Sequence, residues 1–319
     1  MAAATENAGA PIPSEEDLKL YALQQKYTEE ATKRLRPERD EQYVTLKDAD
    51  DSRVHALDAD VWADHAALNA REPVKDGARY KFVIIGSGFG GQVAAVRLIE
   101  AGLVKGPADL LIIDNAGGFG GTWYWNRYPG LHCDVESYTY MPLLEETGYV
   151  PKFKYAPGYE IREHAERIAT QWGLHDKALF RSRITTASWD DDKQLWRLGV
   201  VESRGPGAES RQFKIQAEYF LPAYGILANP QAPKIDGLTS FAGPIFHTAR
   251  WDYSLTGGSQ ENPQLTGLEG KRVGIIGTGA TAIQSIPIIA KFAKELYVFQ
   301  RTASAVYARG QRPTDPEEW

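Results

Sequence analysis

Two glycine-rich motifs carry the clearest chemical signal in the chain. The first has the spacing G-x-G-x-x-G, through Gly86, Gly88 and Gly91. In this spacing the first glycine permits a tight turn, the second lets the backbone approach a pyrophosphate, and the third lets a helix pack closely on a strand. Asp114 ends the next predicted strand, where a carboxylate can accept hydrogen bonds from ribose hydroxyls. Together they predict a dinucleotide site, with a purely structural glycine turn as the alternative.

The second motif has the spacing G-x-G-x-x-A, and its small third residue still suits close packing. The strand after it ends in an arginine and a hydroxyl instead of an acid. A guanidinium there suits a 2′-phosphate better than a free ribose, which favours NADPH over NADH. A surface arginine at a strand end is the alternative. The predicted contacts are Gly277, Thr278, Gly279, Ala280, Thr281, Ala282, Ile283, Gln284, Arg301 and Thr302.

Elements of suitable periodicity flank both motifs. Residues 80–85 are apolar on both faces, as in a buried parallel strand, and a helical pattern and a second such strand at 109–113 follow the first motif. Strands at 272–276 and 295–299 flank the second motif in the same way. The predicted fold class is therefore α/β, with two Rossmann-like units.

The remaining elements are predicted more simply. Residues 1–13 are small and Pro-containing and are expected to be disordered. Ser14 reads as the N-cap of a helix that continues to about Arg36, and we expect this extension to pack on the domain behind it. A helix is predicted at 159–173 and an antiparallel β meander at 182–221.

Composition excludes several function classes. The net charge of -6 gives no basic field for nucleic acid or anionic lipid. One cysteine forms no internal disulfide, and the 6 histidines lack metal spacing. No signal-like or membrane-spanning segment is apparent, which predicts a soluble cytoplasmic protein without a membrane partner.

Two longer strings carry a family resemblance. Residues 120–134, GGTWYWNRYPGLHCD, combine G-x-W, an aromatic-Pro-Gly and an Asp four residues after the Gly. This string resembles the Baeyer–Villiger monooxygenase signature. Residues 241–252, FAGPIFHTARWD, resemble the family's fingerprint F-x-G-x-x-x-H-x-x-x-W followed by Pro or Asp. The fingerprint lies between the two dinucleotide motifs, as it does in the family.

The resemblance implies a function and its cofactors. It implies FAD at the first turn, NADPH at the second, and insertion of one oxygen atom from O2 next to a ketone carbonyl, giving an ester or lactone, as in secondary metabolism. It also implies that His132, Cys133 and Asp134 meet the NADP side. An aromatic mini-core is the alternative for the aromatic stretch. The FAD contacts so implied are Gly86, Gly88, Gly91, Asp114, Thr122, Trp123, Tyr124, Trp125, Asp134, Val135 and Tyr140.

Two residues receive specific roles from the resemblance. Asp134 is the catalytic candidate, which in the family orients an active-site arginine; we assign that arginine to no residue of this chain. A buried carboxylate needs such a partner, because its pKa otherwise rises and it neutralises. His247 belongs to a linker that couples the nucleotide domains, so its expected role is conformational. A lone structural histidine is the alternative.

The predicted domain organisation follows the motifs. Residues 1–78 form a partly helical extension, 79–230 the FAD-binding domain, 231–302 the fingerprint linker and the start of the NADPH-binding domain, and 303–319 the start of a truncated insert. A loop at 228–238 marks the boundary between the nucleotide domains. Family members continue well past the last residue, so both Rossmann-like units are expected to be incomplete. One alternative is a non-catalytic nucleotide-binding remnant. The other is a flavin N-hydroxylase, and the intact H-x-x-x-W-D string argues against this second alternative.

Overall fold

The structure is a computed structural model that describes residues 14–227, 229–315 and 317. The disorder predicted for residues 1–13 lies outside the described residues. The helices are α1 (Glu15–Arg34), α2 (Ser52–Ala56), α3 (His65–Ala70), α4 (Phe89–Glu100), α5 (Thr122–Trp125), α6 (Ser137–Tyr140), α7 (Leu144–Thr147), α8 (Gly158–Gln171), α9 (Tyr253–Thr256) and α10 (Ala280–Phe292). The strands are β1 (Tyr43–Thr45), β2 (Arg79–Ile85), β3 (Leu110–Ile113), β4 (Ala178–Leu179), β5 (Ser182–Asp190), β6 (Leu195–Glu202), β7 (Arg211–Pro222), β8 (Gln231–Pro233), β9 (Arg272–Ile276) and β10 (Glu295–Phe299).

A six-stranded mixed sheet forms the first unit, in the order β4-β3-β2-β7-β6-β5. Strands β4, β3, β2 and β7 run parallel, and β5, β6 and β7 form the antiparallel meander. Helices α4 and α8 cover one face, where Ile84 and Ile112 are fully buried. This arrangement confirms the predicted α/β class, because the first glycine motif stands at the carboxyl end of the central parallel strand β2.

The second unit is a βαβ motif of β9, α10 and β10, with the two strands parallel and Arg272 paired with Glu295. The predicted bounds of both strands are correct. The two-stranded sheet leaves Ile276, Tyr297 and Phe299 between 50% and 59% exposed. One face packs against α10, where Ile275 and Ile289 are buried, whereas the other face is open, and this is unusual because parallel sheets are normally covered on both faces.

The amino-terminal extension behaves differently along its length. Ser14 caps α1 as predicted, and Asp17 completes a reciprocal capping box. No residue of α1 is buried, and Leu23 is 64% and Tyr27 73% exposed. We expected this helix to pack on the domain behind it. That expectation is wrong for α1 in the part of the chain that the structure describes, because none of its residues is buried there. No described part of the chain buries the apolar stripe of α1.

The later part of the extension does pack. Strand β1 pairs antiparallel with β8, and Leu46, Val54 and Ala232 form a small buried core. The loop predicted at 228–238 is thus corrected at residues 231–233, which form a strand paired with β1. No sequence pattern indicates this pairing, since each strand is only three residues long.

Two classes of feature are missing from the described residues. Within 14–227, 229–315 and 317, no helix combines the length and the apolar composition that a bilayer crossing needs. The same residues contain no cluster of His, Cys, Asp or Glu that would hold a metal ion.

Candidate functional site

The first glycine turn has the geometry that its sequence predicts. Gly86 has φ +106°, and a β-carbon there would lie 2.3 Å from the carbonyl oxygen of Ala223. A β-carbon at Gly91 would lie 1.8 Å from the carbonyl oxygen of Gly86, so α4 packs directly on the turn. Gly88 begins α4 and faces Gly121 across a narrow gap, where a β-carbon at 121 would lie 2.9 Å from the α-carbon of Gly88. A side chain at either position would fill this cradle.

A cavity of about 1000 Å³ opens beside this turn. Its volume is at the upper end of the range for small-molecule sites. The predicted residues that line it are Gly86, Gly88, Asp114, Thr122, Trp123, Trp125 and Tyr140. Four predicted FAD contacts lie outside its lining, namely Gly91, Tyr124, Asp134 and Val135. Gly91 instead serves the packing of α4.

Asp114 is held by the turn itself. One carboxylate oxygen accepts hydrogen bonds from the backbone N–H of Ser87 at 2.6 Å and from its hydroxyl at 2.8 Å. The other accepts from the backbone N–H of Ala116 at 2.9 Å. Within the residues that the structure describes, the second oxygen, Oδ1, accepts only this one hydrogen bond, so a ribose hydroxyl can still donate to it. The side chain is therefore pre-oriented at the cavity wall.

The aromatic segment places its rings on two sides. Trp123 donates its indole N–H to the hydroxyl of Tyr140 at 2.9 Å, and both side chains line the cavity. Tyr124 is buried but is not a lining residue, and it donates its hydroxyl to Asp60 of the extension at 3.0 Å. Burial, and then the charge of Asp60, raise the pKa of the Tyr124 hydroxyl. Tyr124 thus connects the segment to the extension and does not face the cavity.

Asp134 and Val135 lie on an exposed part of the loop, and Val135 is 45% exposed. The expectation of a buried Asp134 carboxylate is wrong here, because no described element covers this stretch. The neighbouring Cys133 is buried, and burial raises the pKa of its thiol, which makes it a poor nucleophile. Arg309 donates to the carbonyl oxygen of Cys133 at 2.8 Å.

The second glycine turn repeats the first in a more open form. Gly277 has φ +99°, and Ala282 is buried. Gly279 begins α10, and a β-carbon there would meet no atom within 4 Å. Thr278 donates its hydroxyl to the carbonyl oxygen of Thr302 at 3.1 Å, which closes the turn onto the end of β10. The helix N-terminus therefore presents free backbone N–H groups at an accessible edge.

Arg301 is exposed beside this turn. Its guanidinium donates to the hydroxyl of Tyr43 at 3.0 Å and to the side-chain oxygen of Gln42, both in the extension. These acceptors are neutral, so they orient the guanidinium and leave its charge available to an anion.

The aromatic segment also contacts the second turn. Gln284 of α10 accepts from the backbone N–H of His132 at 2.9 Å and donates to its carbonyl oxygen at 3.2 Å. Tyr128 hydrogen bonds with Thr281 through its hydroxyl. The structure therefore brings His132 against α10.

His247 caps a short 3-10 turn, Thr248–Arg250, by accepting at Nδ1 from the backbone N–H of Ala249 at 3.1 Å. Burial, and then the positive charge of Arg250, lower the pKa of His247 to about 4. The imidazole is thus neutral at pH 7, which suits a structural role in the linker better than proton transfer.

Several residues at the cavity were missed from the sequence. Asp58, Asp60 and His65 come from the extension, and Arg181 and Arg250 are both buried. Only Arg250 lies in a recognised string, at one of its variable positions. The others carry no motif, because they meet the cavity through long-range packing.

Known proteins share this architecture. Residues 84–150 match the NAD(P)-binding Rossmann-like domain family. The solved structure of OTEMO in complex with FAD and NADP superposes with a TM-score of 0.63 at 34% identity, over 76% of this chain and 43% of that one. The fold and both glycine turns therefore mark the chain as a relative of Baeyer–Villiger monooxygenases, and the resemblance stated from its two strings is confirmed.

Two relatives are closer still. The polycyclic ketone monooxygenase of Thermothelomyces thermophilus is 67% identical over 320 residues, 100% of this chain and 48% of that protein. Its solved structure superposes with a TM-score of 0.93, at 68% identity over 95% of this chain and 48% of that one. The FAD-binding monooxygenase ausC of Aspergillus calidoustus is 53% identical over 252 residues, 79% of this chain and 37% of that protein. The chain thus spans about half the length, or less, of the relatives it matches.

Proposed function

We propose that the chain forms the two-cofactor part of an FAD- and NADPH-dependent Baeyer–Villiger monooxygenase. The observation that carries the proposal is the position of one aromatic segment between two dinucleotide turns. Trp123 and Trp125 line the cavity at the first turn, while His132 is fastened to α10 of the second. A flavin and a nicotinamide must meet for hydride transfer, and this arrangement joins their two sites.

The residues at the first turn fit FAD. The cavity beside Gly88 and Gly121 leaves room for a pyrophosphate at the N-terminus of α4, because neither residue has a side chain that would enter it. Asp114 would hold the ribose, and Trp123, Trp125 and Tyr140 would flank the ring and exclude water. Bound FAD would carry electrons from NADPH to O2. Arg181, which is 5% exposed, also lines the cavity, and its Nε has no hydrogen-bond partner among the described residues.

The residues at the second turn fit NADPH. The free N–H groups of α10 would receive its pyrophosphate, and Arg301 would receive the 2′-phosphate. We retain Asp134 as the residue that orients an arginine. This role requires that further protein cover the exposed loop on which Asp134 lies. We also retain the domain bounds 79–230 and 231–302 as part of this proposal, together with a cytoplasmic location as predicted from the sequence.

The substrate we propose is a bulky or polycyclic ketone, with O2 as co-substrate. A relative named a polycyclic ketone monooxygenase, 67% identical to this chain, supports this class. An ester or lactone is the expected product.

The test begins with cofactor binding. We expect the purified chain to bind FAD, seen as a shift in the visible flavin bands, and to prefer NADPH over NADH. Arg301→Ala should remove that preference, because the phosphate loses its charged partner, while Arg34→Ala on exposed α1 should not. A chain that binds neither nucleotide would contradict the proposal.

Turnover separates the remaining alternatives. In an assay with O2 and NADPH, lactone formation from a polycyclic ketone supports the proposed reaction. Nucleotide binding without any turnover would instead support a non-catalytic remnant. Hydroxylation of an amine in preference to a ketone would indicate a flavin N-hydroxylase.

A further inference from the structure

The extension contacts the fingerprint linker at two points. Arg53 donates to the carbonyl oxygens of Phe241 and Gly243, at the start of the fingerprint. Asp58 forms an ion pair with Arg250 near its end, at 3.1 Å between Oδ1 and Nη2. The linker is therefore tied to the extension over much of its length.

The same short segment of the extension also holds the aromatic helix α5. The carboxylate of Asp60 accepts from the hydroxyl of Tyr124 at 3.0 Å and from the backbone N–H of Gly117 at 2.9 Å. Arg127 stacks on Trp62, with its guanidinium carbon 4.4 Å from the ring centre. Two cavity-lining carboxylates separated by one residue thus hold two different segments of the chain, the fingerprint linker through Arg250 and the aromatic segment through Tyr124.

Arg250 is where these parts meet. Its side chain is 4% exposed, and its guanidinium carbon lies 3.7 Å above the ring of Trp125. Both residues line the cavity, and Asp58 lines it beside them. A planar cation held on one edge by a carboxylate and on one face by an indole has little rotational freedom.

The energetics favour a positioning role over a stabilising one. Burial raises the pKa of Asp58 in spite of the attraction of Arg250, and burial also lowers the pKa of Arg250. The pair therefore recovers only part of what its desolvation costs. Such ion pairs are poor sources of stability compared with apolar side chains, so the contacts of Arg250 with Asp58 and Trp125 are the evidence for positioning.

We propose that Arg250 is a positioning residue for FAD, locked by Asp58 of the extension so that its guanidinium fixes Trp125 at the wall of the flavin cavity. The inference rests on the proposed function, because it assigns FAD to this cavity. It makes the extension an integral part of the cofactor site.

The test compares matched variants of the chain by FAD titration. Asp58→Asn keeps the size but removes the charge, and Arg250→Lys keeps the charge but removes the planar stack. We expect each to raise the Kd for FAD about tenfold and to alter the visible band shape and fluorescence of the bound flavin. Asp58→Glu keeps the carboxylate and should restore most of the affinity and the original spectrum.

The controls are Asp50→Asn, an exposed carboxylate of the same extension, and Arg34→Lys on exposed α1. Both should bind FAD as the unmodified chain does. Urea unfolding of the cofactor-free chain is measured alongside. A merely structural role would lower the unfolding midpoint and leave the flavin spectrum of the folded fraction unchanged. If Asp58→Asn fails to fold, Arg250→Lys decides, since its ion pair with Asp58 is retained.

The outcomes separate this inference from the proposed function. If the unmodified chain binds FAD and both variants bind it with the same Kd and spectrum, the role of Arg250 is refuted and the proposed function stands. If the unmodified chain does not bind FAD at all, both are overturned.

Discussion

Gln284 holds the backbone of His132 from both sides, with its amide oxygen accepting at 2.9 Å and its amide nitrogen donating at 3.2 Å. The two residues belong to different dinucleotide units. Gln284 lies on α10, the helix of the second unit, and His132 follows the aromatic segment of the first unit. This reciprocal pair is the most specific polar link that we find between them.

Removing this link should loosen the two units. Gln284→Ala leaves the partly buried N–H and C=O of His132 without their partner, at a cost of about 1–3 kcal/mol. We expect urea unfolding to begin earlier and NADPH to bind more weakly, with FAD binding less affected. The matched control is Gln24→Ala on exposed α1, another helical glutamine. An unchanged unfolding curve for Gln284→Ala would contradict the role of the pair.

The third glycine of the first turn should tolerate no side chain. Gly91→Ala would place a β-carbon 1.8 Å from the carbonyl oxygen of Gly86, so α4 must move away from the turn. We expect loss of FAD binding and a stability loss of at least about 1–3 kcal/mol. Gly90→Ala is the control on the adjacent residue, since its β-carbon would meet only Ala223 at 3.9 Å. Although Gly90 lines the cavity, Gly90→Ala leaves the turn intact, so it should lose far less FAD affinity than Gly91→Ala and gain up to about 1 kcal/mol from helix propensity.

The meander contains a buried charge cluster around Glu202. The side chain of Glu202 is 5% exposed and lies 2.8 Å from Arg211, 3.2 Å from Arg204 and 3.8 Å from Arg181. Burial lowers the pKa of Arg181, which remains charged at neutral pH.

Glu202→Gln should leave that buried charge uncompensated and cost about 3–5 kcal/mol in the free energy of unfolding. Urea unfolding followed by circular dichroism measures this loss. Glu209→Gln, an exposed position of the same meander, is expected to unfold as the unmodified chain does. Equal midpoints for the two variants would show that the cluster contributes nothing.

His247 predicts a specific dependence of stability on pH. Its pKa is lowered to about 4 in the folded chain, against 6.5 ordinarily. Between these values the unfolded chain binds a proton that the folded chain does not, so stability falls as the pH falls. The loss approaches about 1.4 kcal/mol per pH unit, and on the order of 2–3 kcal/mol from pH 7.5 to pH 4.5.

The measurement compares unfolding at these two pH values in two variants. His247→Asn keeps an acceptor for the N–H of Ala249 but does not titrate, so it should lose less stability in acid than the unmodified chain. His55→Asn, at an exposed histidine, should keep the original dependence. If His247→Asn shows the same loss of stability in acid, the neutral state of His247 in the folded chain is refuted.

The sequence predicted the parts of the molecule that depend on local pattern. Both glycine turns, the strands around them and the meander follow from spacing and periodicity over short windows. The pairing of β1 with β8 could not be predicted in this way, because three-residue strands carry no periodic signal and their contact spans most of the chain. The hydrogen bond of Tyr124 to Asp60 was missed for the same reason, since Asp60 lies in a distant segment of the chain.

The exposure of α1 was also unpredictable, because an apolar stripe indicates a partner without saying where it is. Asp134 shows the converse. The family role implies a buried carboxylate at Asp134. Whether a carboxylate is buried depends on the elements that surround its loop, and residues 120–134 alone do not show those elements.

Gly130 lies where the two dinucleotide units touch. Its φ is +80°, and a β-carbon there would lie 2.7 Å from both the carbonyl oxygen of Gln284 and the side chain of Ile288. At this one point the main chain of the first unit lies directly against α10, within an interface that is otherwise packed with apolar side chains such as Leu131, Ala282 and Ile289. A side chain at position 130 would therefore push the two glycine turns apart, whatever residues line the pockets beside them.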